Sequence, residues 1–269
     1  MKASRTSKRT IGSWSRQAYP ACTAKSVFRQ DNLCRSYQIV GYARPGGYAE
    51  YLKIPSVNAV PIPGDLSFTE AAAIPLVFLT AWHMLVTRAK LRAGETVLVH
   101  AAGSGVGSAA IQIAKLLQAR VFATASTGEE LAQARELGAD EIINYTEQNF
   151  AAEVRRLTSK RGVDVVVENT GTATWEKSIL SLGANGRVVT CGATTGYQAQ
   201  LDLRHLFARH LNVLGSYMGA KHELLEVLKF FASGQLRAVI DRVLPLSEAA
   251  TAHQALENRG QFGKVVLTP

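Results

Sequence analysis

The spacing of apolar residues changes character along the chain. Beyond Gly94, short apolar runs alternate with longer segments whose apolar residues recur at helical intervals. The short runs predict strands at Thr96–His100, Arg120–Ala125, Glu141–Asn144, Val163–Glu168, Arg187–Cys191 and Asn212–Ser216. The segments between them predict helices at Val106–Leu117, Gly128–Leu137, Phe150–Thr158, Thr174–Leu182, Leu203–Arg209 and His222–Ser233. Because runs such as VDVVVE are almost entirely apolar, we expect a parallel sheet with helices on both faces, a doubly wound α/β domain.

Upstream of this alternation the pattern is β-rich and is interrupted by turn residues. Tyr48–Ile54 has the composition of a strand. Ser67 and Glu70 have the spacing of a capping box, in which a hydroxyl and a carboxylate satisfy free amide groups at a helix start. The predicted helix is interrupted at Pro75, and a second helix is expected over Leu76–Ala89.

These patterns divide the chain into three parts. Residues 31–75 and 239–269 are predicted to form a β-rich domain, and residues 76–238 the α/β domain. Residues 1–30 contain no acidic residue and show neither helical nor strand periodicity, so we expect them to lie outside the fold. An organellar transit peptide and a basic arm for polyanions are the alternatives for this segment.

The net charge of +9 is concentrated at the start of the chain. Residues 1–36 contain eight basic residues and one acidic residue, a net charge of +7, which leaves +2 for the remainder. A nearly neutral body argues against nucleic acid as a partner. The longest apolar stretch, Ala71–Leu85, is too short for a membrane span and contains Pro75, so no span is predicted. The three cysteines are too few for a disulfide framework, which predicts a cytoplasmic protein.

Small residues connect the first strand of the α/β domain to its helix. They are Gly103, Ser104, Gly105, Val106 and Gly107. Such a loop brings the backbone amides of a helix N-terminus against a pyrophosphate, and Gly107 would let the helix pack closely on the sheet. The pattern predicts a dinucleotide site, with a tight turn that binds no ligand as the alternative.

The end of the second strand indicates which dinucleotide binds. NAD sites place an acidic residue there to accept hydrogen bonds from the ribose 2′-hydroxyl. This strand end carries no acid but has hydroxyls at Ser126 and Thr127, which predicts NADP(H) in preference to NAD(H). Glu129 and Glu130 follow directly, and they either oppose a 2′-phosphate or form the solvated first turn of the next helix.

Several longer segments together resemble one family. They are DNLCRSYQIVG, GGYAEYL, EAAAIPLVFLTAWHML, VLVHAAGSGVG, ELGADEIINY, GVDVVVENTG, GRVVTCGATTG and GQFGKVVL. Over about residues 31–269 the chain resembles the medium-chain dehydrogenase/reductase superfamily, on its zinc-type alcohol dehydrogenase and quinone oxidoreductase side. The resemblance implies an incomplete GroES-like catalytic domain, a Rossmann domain over residues 76–238, a nicotinamide cofactor in the cleft between them and a homodimer built through the Rossmann domain.

The resemblance also implies further cofactor contacts. They are Tyr145 near the 2′-phosphate, Asn169, Thr170 and Gly171 beside the cofactor ribose, Gly192 and Ala193 under the nicotinamide, and Lys264 in the last strand. A half-buried aromatic residue is the alternative for Tyr145, and a surface lysine for Lys264. In the family a lysine often occupies the position of Glu130, so this glutamate weakens the prediction of NADP(H).

The chain departs from the family at the positions that bind zinc. The resemblance places a ligand of the catalytic zinc at Leu76, whose side chain cannot coordinate a metal. The family's catalytic cysteine and its Gly-His-Glu segment have no counterpart. Cys34 corresponds to the last of four cysteines that bind a structural zinc, and the other three positions hold Pro20, Thr23 and Ser26, with Cys22 out of register. We therefore predict neither a catalytic nor a structural zinc.

These features predict an NADPH-dependent oxidoreductase that passes hydride to a quinone, an enal or another activated C=C or C=O acceptor without catalytic zinc. A zinc-type alcohol dehydrogenase and a catalytically inactive NADP-binding remnant are the alternatives. Because the resemblance begins abruptly at Asp31, a frame change or false start explains residues 1–30 better than a transit peptide does. No catalytic residue is assigned, because no Ser-His-Asp set or carboxylate pair stands out.

Overall fold

The computed structural model describes two short strands by their backbone, β1 (Arg9–Ile11) and β2 (Trp14–Arg16), and residues 30–269. β1 pairs antiparallel with β4 (Ala59–Pro61), and β2 pairs antiparallel with β3 (Tyr37–Ile39). Contrary to expectation, part of residues 1–30 is therefore paired, because a three-residue strand is too short to give a periodic pattern and depends on its partner. The remaining predictions for this segment fall outside the described residues, as do those for Pro20, Cys22, Thr23 and Ser26.

The first long helical region begins at the predicted capping box. Ser67 Oγ accepts a hydrogen bond from the Glu70 amide at 3.2 Å, and Glu70 Oε2 accepts one from the Ser67 amide at 2.8 Å. Helix α1 (Phe68–Ala73) follows, and α2 (Pro75–Trp82) starts at the proline, so the predicted cap and break are confirmed. The second helix does not continue as a regular α-helix, because it widens to a π-helical stretch over His83–Arg88.

The strand predicted over Tyr48–Ile54 is wrong, since this segment contains no regular element. Tyr48 is 59% exposed and Tyr51 is 89% exposed. Aromatic composition favours a strand only where a neighbouring strand offers a pleated surface to pack on, and these two residues are largely exposed.

A six-stranded parallel sheet forms the centre of the second half of the chain. Its strands are β5 (Thr96–Val99), β6 (Arg120–Ala125), β7 (Glu141–Asn144), β8 (Val163–Glu168), β9 (Leu182–Thr190) and β10 (Asn212–Gly215), in the order β7-β6-β5-β8-β9-β10. The helices that connect them are α3 (Gly105–Leu116), α4 (Gly128–Glu136), α5 (Phe150–Leu157), α6 (Thr172–Ser181) and α7 (Leu203–Ala208). This order is that of a doubly wound Rossmann sheet, which confirms the predicted fold class.

Side chains from this sheet form the core with helices α5 and α6. Leu98, Phe122 and Val166 are inaccessible to solvent and pack in one cluster with Val154 and Ile179 of the helices. Because the middle of the sheet is covered in this way, its strands lack the polar alternation of a solvent-facing strand.

The rest of the chain supplies helix α8 (Lys221–Ala232), strand β11 (Ile240–Pro245), helix α9 (Ala249–Glu257) and strand β12 (Lys264–Thr268). β11 and β12 pair in parallel. Within the part of the chain that the structure describes, no helix has the length and apolar character needed to cross a membrane.

The chain divides into two compact units. One contains the described residues up to Leu79 together with Gly219–Pro269, and the other is Thr80–Met218. The second boundary lies at Met218 instead of residue 238, because α8 belongs to the first unit. Phe231 of α8 packs edge-on against Phe78 there, with ring centroids 4.8 Å apart.

Candidate functional site

The predicted glycine loop lies where the order of the sheet reverses. β5 pairs with β6 on one side and with β8 on the other, and ligands of such sheets bind at this switch point. Gly103 is buried in the turn, and Ser104 is the N-cap of α3. The amides of Gly105 and Val106 open the helix, and amides at this position have no acceptor within a helix. The loop therefore presents backbone donors and the positive end of α3 to an anion.

Gly107 is the tightest point of the loop. A Cβ atom at this position would lie 2.1 Å from the Ala101 carbonyl oxygen. The Gly107 amide donates to Ser104 Oγ at 2.9 Å, which fixes the first turn of α3 against the loop. The close approach of helix and strand predicted for Gly107 is present, and the cradle fits a pyrophosphate group bound by its backbone.

The end of β6 has an acidic side chain that the sequence pattern did not place there. Glu130 Oε2 accepts hydrogen bonds from the Ser126 amide at 3.0 Å, from Ser126 Oγ at 2.7 Å and from the Thr127 amide at 3.2 Å. Thr127 Oγ1 in turn accepts one from the Glu130 amide at 3.2 Å, forming a capping box at the start of α4. The premise that no acid lies at this strand end is wrong, because Glu130 reaches back from the helix.

Tyr145 lies beside the same strand end. Its amide donates to the Ala125 carbonyl at 3.1 Å, and Thr146 Oγ1 donates to the Ser126 carbonyl at 3.4 Å. The ring of Tyr145 is 42% exposed. The structure thus brings Tyr145 and the two hydroxyl residues together at one edge of the sheet.

The loops after β8 and β9 pack against each other next to the glycine loop. Asn169 Nδ2 donates to Ser104 Oγ at 3.3 Å. Gly171 has a φ of +97°, and a Cβ there would lie 2.9 Å from the Ala193 Cα. A Cβ on Gly192 would lie 2.9 Å from the Asn169 carbonyl oxygen. The residues predicted on these two loops therefore form one continuous wall with the glycine loop.

Lys264 is the remaining residue that was predicted to contact the cofactor. It is in β12, which belongs to the other compact unit, and its role near a cofactor stays a prediction. Burial lowers the pKa of the Lys264 ammonium below its usual value.

Behind this wall lies a buried polar network that the sequence pattern does not predict. His100 directly follows β5 and Glu168 ends β8; both are buried, and Ser178 of α6 lies between them. Burial lowers the pKa of the His100 imidazole, although the charge of Glu168 acts in the opposite direction. The only signal in the sequence is a polar residue at the end of an apolar run, at TVLVH and VDVVVE.

Cys191 follows β9 and adjoins the same wall. Burial, and then the negative charge of Glu168, raise the pKa of its thiol to about 12. A thiol in this environment stays protonated at neutral pH and is a poor nucleophile. This geometry favours the interpretation of Cys191 as a small core residue.

Metal ligands do not gather in the described part of the chain. Among residues 30–269 no three His, Cys, Asp or Glu side chains lie close enough together to hold a metal ion. Leu76, at the position of a zinc ligand in the resemblance, lies in α2.

Comparison with known proteins identifies the family. A family model described as zinc-binding dehydrogenase matches residues 105–233. The quinone oxidoreductase of Pseudomonas aeruginosa is 35% identical over 233 residues, which cover 83% of this chain and 72% of that protein. The chain belongs to the medium-chain dehydrogenase/reductase superfamily. It is therefore a NAD(P)-dependent oxidoreductase by family, as predicted.

Two solved structures resemble this medium-chain dehydrogenase/reductase closely. One is a NAD-dependent alcohol dehydrogenase, with 51% identity, a TM-score of 0.86, and coverage of 89% of this chain and 70% of the other. The second is a 2-octenoyl-CoA carboxylase reductase in complex with NADP and 2-octenoyl-CoA, with 30% identity and a TM-score of 0.83. The match covers 95% of this chain and 61% of that reductase.

Proposed function

We propose that this medium-chain dehydrogenase/reductase passes hydride from a reduced nicotinamide dinucleotide to an activated C=C or C=O acceptor, such as a quinone or an enal, without catalytic zinc. The observation that carries the proposal is the cradle at Gly103–Gly107, which leaves no room for a Cβ at Gly107 and presents helix amides to an anion. The cofactor, when bound, supplies the hydride.

The chain's own groups bind and orient the dinucleotide. The amides of Gly105 and Val106 face the pyrophosphate position, and the wall formed by Asn169–Gly171 and Gly192–Ala193 limits where the nicotinamide end can lie. A protein that mainly binds and orients the cofactor suits an acceptor that is already electrophilic, because such an acceptor needs little activation by the protein. Two of its relatives are named for acceptors of that kind, the quinone oxidoreductase and the 2-octenoyl-CoA carboxylase reductase.

A hydride-transfer assay with NADH and NADPH tests this proposal. We expect consumption of the reduced cofactor with quinones or enals and no loss of rate when a metal chelator is added. Alcohol oxidation that a chelator abolishes, without turnover of quinones or enals, would establish the zinc-type alcohol dehydrogenase instead. Saturable cofactor binding without turnover of any acceptor would establish the inactive remnant.

The predicted preference for NADP(H) over NAD(H) rests on the hydroxyls and amides of Ser126 and Thr127. In the structure these groups bind Glu130, whose charge would repel a 2′-phosphate. One relative is bound to NADP and another is named as NAD-dependent. The preference therefore stays a prediction, which substitution of Glu130 tests.

We also propose that two copies associate through the Rossmann sheets, as the resemblance implies. β10 is the terminal strand of the described sheet, and Val213 in it is 41% exposed. The neighbouring α7 exposes Leu203 by 63% and Phe207 by 69%. An apolar edge strand of this kind favours pairing with a second copy.

Val213→Lys is expected to convert the dimer to a monomer, because two ammonium groups would meet at the paired edge. Light scattering should give about twice 29.0 kDa for the wild type and 29.0 kDa for the variant. Val243→Lys, at an exposed position of β11 in the other unit, is the matched control and should leave the dimer intact. A monomeric wild type would contradict the proposal.

A further inference from the structure

Glu168 is a carboxylate with no access to solvent at the edge of the proposed cofactor site. Its Oε1 accepts hydrogen bonds from the Thr170 amide at 2.7 Å and from the Gly171 amide at 3.1 Å. Its Oε2 accepts them from Thr174 Oγ1 at 2.8 Å and from Ser178 Oγ at 2.7 Å. A buried carboxylate is tolerated only when it is satisfied in this way. Oε1 therefore binds the backbone of the loop after β8, and Oε2 is bound by two hydroxyls of α6.

The hydroxyl protons of Ser178 and Thr124 in the network can be assigned. Ser178 has one hydroxyl proton and donates it to Glu168, so its oxygen must accept from His100 Nε2, which lies 2.9 Å away. His100 is then the Nε2–H tautomer, and its Nδ1 accepts from Thr124 Oγ1 at 3.1 Å. The network joins the carboxyl ends of β5, β6 and β8 to α6.

The loop that Glu168 holds is part of the wall around the site. Asn169 in this loop donates to Ser104, the N-cap of the glycine-loop helix, at 3.3 Å. The Thr170 carbonyl accepts hydrogen bonds from the amide and the hydroxyl of Thr195, each at 2.8 Å, which ties the loop to the segment after Ala193. Movement of the Thr170 and Gly171 amides would therefore disturb both neighbouring loops.

We propose that Glu168 is a positioning residue for the cofactor, and that Ser178 and His100 keep its carboxylate aimed at the Thr170 and Gly171 amides. This inference rests on the proposed function, because it assumes that the wall formed by residues 169–171 and 192–193 lines the dinucleotide. Apolar side chains of similar volume would fill the same space but could not hold two backbone amides. The network thus orients the loop that contacts the cofactor, as outer hydrogen bonds orient the ligands of a metal site.

Two serines of α6 provide a matched test. Ser178 and Ser181 are both buried, but Ser181 Oγ donates to the Lys177 carbonyl of its own helix at 2.8 Å. Ser178→Ala should raise the Kd for the reduced cofactor about tenfold, since it leaves Glu168 and His100 without their shared partner. Ser181→Ala should leave that Kd unchanged, although both variants lower the thermal midpoint. Equal cofactor Kd values for the two variants would overturn the proposal.

Amide hydrogen exchange in the cofactor-free protein tests the positioning role without any ligand. Ser178→Ala and Glu168→Leu should each accelerate exchange of the Thr170 and Gly171 amides at least about tenfold, and Ser181→Ala should not. Unchanged exchange in both network variants would also overturn the proposal. If the wild type binds no cofactor, the proposed function fails, and exchange alone still decides whether Glu168 holds the loop.

Glu168→Gln, unlike Glu168→Leu, should keep the Thr170 and Gly171 amides protected from exchange. Its amide oxygen can accept from the Thr170 and Gly171 amides while its NH₂ group donates to Ser178, whose proton then turns to His100 Nε2. We expect loop exchange within about threefold of wild type, together with a switch of His100 to the Nδ1–H tautomer in ¹⁵N NMR spectra. An unaltered tautomer would contradict the assigned proton order.

Discussion

Gly107→Ala is expected to remove measurable binding of NADH and NADPH. The added Cβ would lie 2.1 Å from the Ala101 carbonyl oxygen, so α3 must move away from β5 and carry the amides of Gly105 and Val106 with it. Because the helix amides must reach the pyrophosphate, a displacement of about 1 Å is expected to weaken cofactor affinity about a hundredfold or more. Overpacking should also lower the free energy of unfolding by about 1–3 kcal/mol.

Gly128→Ala is the matched control for this substitution. Gly128 opens helix α4 as Gly105 opens α3, and a Cβ there would meet nothing within 4 Å. The control should keep wild-type cofactor affinity and gain up to about 1 kcal/mol of stability. Titration calorimetry and thermal unfolding of both variants measure these effects. Wild-type affinity in Gly107→Ala would show that the cradle does not bind the cofactor.

Glu130→Lys is expected to shift the ratio of affinities for NADPH and NADH about a hundredfold toward NADPH, because a repulsive charge becomes a charge-assisted donor to the 2′-phosphate. The variant also frees the amides and hydroxyls of Ser126 and Thr127 that Glu130 now binds. Glu130→Gln should give a smaller shift of about tenfold, since glutamine keeps the capping box but removes the charge.

Glu129→Lys separates this local effect from a general change of charge. Glu129 is exposed in the first turn of α4, and its substitution alters the net charge equally one residue away. Its effect on the NADPH-to-NADH ratio should be small and should vanish at high salt. Equal shifts from Glu129→Lys and Glu130→Lys would mean that Glu130 does not determine cofactor choice.

The sheet could be predicted from the sequence because its core strands are covered on both faces. β6 (Arg120–Ala125) and β8 (Val163–Glu168) have the predicted bounds, since each is a mostly buried, mostly apolar run between turn residues. β9 begins at Leu182, ahead of the predicted start at Arg187. Its first half contains Gly183, Ala184 and Gly186, which give no apolar signal.

Other features depended on contacts that no local pattern contains. The acid at the end of β6 is Glu130 of the next helix, and a rule that considers only the residues of the strand end does not include it. His100 lies far in the sequence from Glu168 and Ser178 and meets them only because β5 and β8 are neighbours in the sheet. Tyr48–Ile54 shows the opposite error, because strand-like composition was present without a partner strand.

Calorimetric titration of the wild-type chain with NADH and NADPH tests whether the Gly103–Gly107 loop binds a dinucleotide. We predict saturable binding of one reduced cofactor per chain for at least one of the two, retained in Gly128→Ala and lost in Gly107→Ala. Folded wild-type protein that binds neither cofactor at millimolar concentration would contradict the assignment of the Gly103–Gly107 loop as a dinucleotide site.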